Sequence, residues 1–64
     1  MNTFKFIPVN VLIDKTTTQL QFINYDHIQR IWQTDTTVYI ELADYTILEV
    51  PNENVHNLIE RFIK

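Results

Sequence analysis

A chain of 64 residues, 45% hydrophobic and with a formal charge of -3, has the composition of one small folded domain and not of a disordered segment. It carries no cysteine, so no disulfide supports it, and its five Lys and Arg are scattered, which argues against the clustered basic surface on which nucleic-acid binding rests. No apolar run nears the roughly 18 residues needed to span a bilayer, and no signal-like stretch opens the chain; we expect a cytoplasmic protein with residues 1–64 as a single domain.

In chain order, Phe4 to Ile13 reads as a strand, because Ile7, Val9, Val11 and Ile13 recur at period two among β-branched and aromatic neighbours. Pro8 cannot donate to a ladder, which predicts either an edge position or a bulge that brings Phe4 and Phe6 onto the face of Ile7 and Val9. Asp14 to Thr17 is polar and reads as a turn, after which Leu20 and Phe22 alternate with Gln19 and Gln21 in a second strand. Asn24, Tyr25 and Asp26 break the pattern, with Asn and Asp able to bond nearby backbone amides, and a single helical turn is expected over Tyr25 to His27.

The next two strands pair across a two-residue turn at Asp35-Thr36. That places Thr34 opposite Thr37, Gln33 opposite Val38, Trp32 opposite Tyr39, Ile31 opposite Ile40 and Arg30 opposite Glu41. A turn without glycine leaves a longer loop, shifted by one residue, open. Ile31, Val38, Ile40 and Leu42 then share one face, and Trp32, Tyr39, Arg30 and Glu41 the other. Thr46 to Val50 supplies a fifth strand, Pro51 ends it, and Asn52 is a helix cap. Val55, Leu58, Ile59, Phe62 and Ile63 form one stripe of a closing helix, with Arg61 and Lys64 suited to its C-terminal end. The expectation is an α+β fold, β-β-β-β-β-α, in which one antiparallel sheet of about five strands carries the helix on one face.

Chemistry finds little purchase in this inventory. Serine and cysteine are absent, so the usual activated nucleophiles are missing, and without glycine no loop can bring its amides close around a phosphate. His27 and His56 lack metal-ligand spacing, and the carboxylates sit where turns and solvent faces want them; neither a metal nor a cofactor is expected. One helix covers one face of a sheet, which leaves the Trp32 and Tyr39 face for something else, and aromatic residues with Arg are the types enriched at interfaces. The candidate interface or ligand-binding residues are Trp32, Tyr39, Arg30, Glu41 and Tyr45. The competing reading closes the sheet into a small barrel that buries the aromatics.

From Phe22-Ile23-Asn24, through Ile28 and Ile31, the Asp35 to Leu42 strand and the closing strand with its amphipathic helix, the chain resembles the FlbD-like family of short bacterial proteins associated with flagellar and swarming motility. The likeness covers about two thirds of the chain and rests mostly on hydrophobic positions. The Asn-Gly turn usual in that family is Ala43-Asp44 here, and no functional residue carries over. What the resemblance implies is a small non-enzymatic accessory protein. The expected function is therefore a non-enzymatic protein-interaction or regulatory module acting as a homo-oligomer and with another protein, through the Trp32 face or the strand around Phe4 to Ile13. The alternative is a phage- or plasmid-type inhibitor that sequesters a small ligand in an inter-subunit pocket. Nucleic acid, stacked on Trp32, Tyr39 and Tyr45, is the reading the acidic balance disfavours.

Overall fold

A computed structural model describes residues 5–63, the side chains from 61 onward excepted. The elements are β1 (Phe6–Leu12), β2 (Thr18–Asn24), a 3-10 turn (Tyr25–His27), β3 (Ile28–Thr34), β4 (Thr37–Leu42), β5 (Ile47–Pro51) and α1 (Val55–Ile63). The fold is α+β, but the single five-stranded sheet is corrected to two antiparallel sheets, β1-β2 and β3-β4-β5. Pro8 supplies a physical reason. Bonds from Ile13 N–H to the Thr17 carbonyl (3.0 Å) and from Tyr25 N–H to the Lys5 carbonyl (2.9 Å) bracket the β1-β2 ladder. Pairs alternate between bonded and non-bonded along such a ladder, so Pro8, opposite Phe22, falls on a non-bonded pair. The N–H that proline lacks is therefore on the side of β1 away from β2. β1 lies alongside β5, yet no continuous ladder joins them.

β1 runs through Pro8 without a bulge. Ile7, Val9 and Val11 are buried while Phe6 is on the opposite face, so of the two alternatives for Pro8 the edge position holds and the bulge that would bring Phe6 onto their face does not. Phe4 lies outside the described residues. In β2 the partners of Val11, Val9 and Ile7 are Gln19, Gln21 and Ile23, so it is the glutamines that share the core side of the hairpin. Leu20 and Phe22 point outward with Phe6, and all three are exposed.

The 3-10 turn forms where expected, with the Asn24 side chain accepting from the Asp26 N–H at 2.9 Å. Beyond it, β3 and β4 adopt the register read from the sequence, from Arg30 opposite Glu41 to Thr34 opposite Thr37, across the two-residue Asp35-Thr36 turn. Asp35 occupies the left-handed region at φ 56°, which Asp tolerates better than most residues. A bulge between Ile28 and Arg30 leaves Gln29 unpaired. The extra residue allows Ile28, opposite Leu42, to share the inner face with Ile31, three positions on. β5 completes that face, with Leu48 opposite Ile40 and Val50 opposite Val38.

The core consists of Ile7, Val9, Val11, Ile23, Val38, Ile40, Val50 and Leu58, with Tyr25, Ile28, Ile31, Leu42, Leu48 and Val55 packed against it. Among the described side chains of α1, Leu58 is the fully buried one, and burying such a side chain contributes about 2 kcal/mol. A nine-residue helix is marginal alone. Its N-terminus is held by two devices. Asn54 Oδ1 accepts from the N–H groups of His56 (2.8 Å) and Asn57 (3.3 Å), so the cap is Asn54 and not Asn52, which instead turns the chain at φ 56°. Gln33 Oε1 accepts from the Val55 N–H at 3.0 Å, tying the helix to β3. Ile59 of the predicted stripe is exposed, and the side chains of Arg61, Phe62, Ile63 and Lys64 lie outside the described residues.

Candidate functional site

The outer face of the three-stranded sheet is laid out in rows by its register. One row is Arg30, Glu41 and Ile47; the next is Trp32, Tyr39 and Glu49. Within these rows the side chains form a connected set. Arg30 Nε donates to Glu41 Oε1 at 3.0 Å, and Arg30 Nη2 lies 3.0 Å from the same oxygen. The guanidinium sits 4.8 Å from the centroid of the Trp32 ring, and Trp32 stacks on Tyr39 with centroids 5.5 Å apart and planes 17° from parallel.

Each contact restrains the next. Glu41 is only 9% exposed, a carboxylate that fixes the guanidinium plane, while a cation over an indole face gains about 0.5 to 1 kcal/mol at exposed sites. The stacked pair contributes a similar amount beyond its area. Trp32 and Tyr39 are half-buried where exposed rings were expected, because each covers a face of the other. Neither is among the half-buried residues that pack on the core. The result is a rigid aromatic ledge.

Beside the ledge lies a shallow open cleft of about 350 Å³ lined by Gln29, Arg30, Glu41 and Tyr45. Two local irregularities build it. The β3 bulge sets Gln29 at its edge, and Tyr45 is the last residue of a three-residue loop closed by bonds from Tyr45 N–H to the Leu42 carbonyl and from Leu42 N–H to the Thr46 carbonyl, both 2.8 Å. Tyr45 adopts φ 71°, a conformation that costs a bulky side chain energy, and is 74% exposed. The Thr46 hydroxyl and N–H beside Asp44 hold its carboxyl below the usual aspartate range and brace the loop. Gln29 and Tyr45 can each donate and accept, Arg30 donates and Glu41 accepts, which is enough to orient a small polar group.

All five residues named from the sequence therefore meet on one face, with Arg30 and Glu41 shared between ledge and cleft. Gln29 was missed, and the signal for it was there: Ile28 and Ile31 lie three apart in a strand whose apolar period is two. The outward Leu20 and Phe22 were not legible as surface, because alternation tells which residues share a face and not which face meets the core. Among the described residues no three His, Asp or Glu side chains gather to hold a metal ion, and no helix is long and apolar enough to cross a membrane. No family model, curated protein or solved structure matches the chain.

Proposed function

We propose that the chain is a small non-enzymatic protein-interaction module of the cytoplasm, acting as a homo-oligomer, and that the Arg30-Trp32-Tyr39 ledge is where a protein partner is recognised. One observation carries the reading: the two largest aromatics of the sheet are stacked, capped by a cation and set on the face opposite the core, where they stabilise little of the interior. Rigid Trp, Tyr and Arg groups lose little entropy on binding and dominate interface energetics. The FlbD-like pattern supports an accessory role in the same direction.

A second reading, sequestration of a small ligand by an inter-subunit pocket, is favoured by the polar cleft and by the strained, exposed Tyr45 at its rim. A ligand retained through purification and detected by ultraviolet absorbance and mass spectrometry supports it.

The test of the main reading is native mass spectrometry of the assembly taken from its source cells, comparing wild type with Trp32→Ala, alongside far-UV circular dichroism. The expected result is a stoichiometric partner on wild type that is lost from Trp32→Ala, with the fold retained. A variant that unfolds makes Trp32 a core residue, and a variant that keeps the same partner removes the ledge from recognition.

A further inference from the structure

Every strand available for lateral pairing carries a feature that discourages it, except one. β1 has Pro8, β3 has Arg30 and the Gln29 bulge, and β5 has Glu49 and Pro51. Charges, bulges and prolines are the devices that keep sheet edges from joining. β2, with the sequence TQLQFIN, has no charge, no proline and an unbroken register. It lies in the longest uncharged run of the chain, Thr16 to Tyr25.

Among the described residues β2 pairs with β1 alone. The bonded pairs Ile13/Thr17 and Tyr25/Lys5 set the alternation, so odd-numbered residues of β2 bond to β1. The N–H and C=O groups of Thr18, Leu20, Phe22 and Asn24 consequently face the open edge. On the outer face of that edge, Leu20 is 58% and Phe22 54% exposed, next to Phe6 at 44%. Unpaired ladder groups and adjacent exposed apolar side chains on one strand form the combination that recruits another strand.

We propose that β2 is a self-association strand, joining a second copy of this chain as an antiparallel β2-β2 pair about a two-fold axis at Gln21. The occupant is a second copy because the strand is self-complementary, and this register is the one that pairs it over its whole length, Thr18 to Asn24. Gln21 meets its own counterpart, Leu20 meets Phe22 of the other copy and Phe22 its Leu20, and Thr18 meets Asn24. All the edge-facing residues then fall on bonded pairs, so each of their N–H groups meets a carbonyl. The apolar pairs land together on the outer face, continuous with Phe6 and Pro8. A net charge of -3 makes two copies repel, and this uncharged run is where they approach at least electrostatic cost. The inference is independent of the Trp32 ledge, which it leaves open.

The test uses the full chain and three variants, read by multi-angle light scattering after size exclusion and by far-UV circular dichroism. Wild type runs as a dimer at micromolar concentration; Leu20→Lys, with its side chain on the outer face, keeps the fold and weakens association on the order of a hundredfold or more. Because the chain has no cysteine, Gln21→Cys adds a single thiol at the axis, on a non-bonded pair where opposed Cβ atoms are closest. Mild oxidation crosslinks Gln21→Cys into a covalent dimer at least about tenfold faster than Gln19→Cys, which faces Ile23 of the other copy. This comparison reads the register without altering the apolar face. A wild type that stays monomeric at all concentrations, a dimer indifferent to Leu20→Lys, equal crosslinking of the two thiols, or a β2 edge occupied by a different protein each overturns the proposal.

Discussion

At the scale of single residues, backbone strain marks Tyr45. Among the described residues three have positive φ, and two of them, Asp35 and Asn52, are types whose short polar side chains tolerate it. Tyr45 is the bulky exception, and at 74% exposure its ring gains little from packing. Strain that nothing structural repays is a pointer to function. Tyr45→Gly is expected to raise the unfolding free energy by about 1 kcal/mol, as the left-handed penalty is removed and partly offset by the larger entropy of glycine in the unfolded chain. Urea denaturation measures it; a loss of stability instead makes Tyr45 a structural residue of the loop. The position of Tyr45 at a connection was legible in the sequence, but not its conformation, because the loop length that demands a left-handed third residue is fixed by the pairing of β4 and β5.

At the scale of elements, what the sequence disclosed depended on whether two constraints agreed. The β3-β4 register was legible because the turn position, the Arg30-Glu41 charge pair and the isoleucine face all selected the same alignment. For the β1-β2 hairpin only alternation was available, and it left the outward side undecided. Helix docking was partly legible: the stripe predicted Leu58, whereas the Gln33 contact depends on a loop that folds back to β3. Gln33 serves two elements at once, donating from Nε2 to the Asp35 carbonyl at 2.8 Å while Oε1 accepts from Val55. Gln33→Ala removes both bonds and is expected to cost about 1 to 2 kcal/mol. Gln33→Glu keeps the acceptor and places a negative charge at the helix N-terminus, so it is expected to lose less. Equal losses in the two variants, read by chemical denaturation, make the bond from Nε2 to the Asp35 carbonyl, which both variants lack, the cause and not the bond to the helix.

At the scale of the whole molecule, the question is whether the folded unit is one chain or two. The described residues extend 40 × 23 × 19 Å, an elongated body for so short a chain, and its core is a single small cluster of aliphatics. Chains of this length gain only a few kcal/mol from one core and commonly draw on a disulfide, a metal or a partner. If β2 joins a second copy, dissociation accompanies unfolding, and mass action makes the melting temperature depend on concentration. With about 0.7 kcal/mol of unfolding enthalpy per residue near 60 °C, a pair of these chains absorbs about 90 kcal/mol, and each tenfold rise in concentration is expected to raise the midpoint by about 6 °C. Leu20→Lys is expected to melt at a lower temperature that does not move with concentration, and Trp32→Ala is expected to retain the wild-type slope. A slope carried by Trp32 and not by Leu20 transfers the self-contact from the β2 edge to the aromatic ledge, so scanning calorimetry over a concentration series separates the two surfaces by their energetics alone.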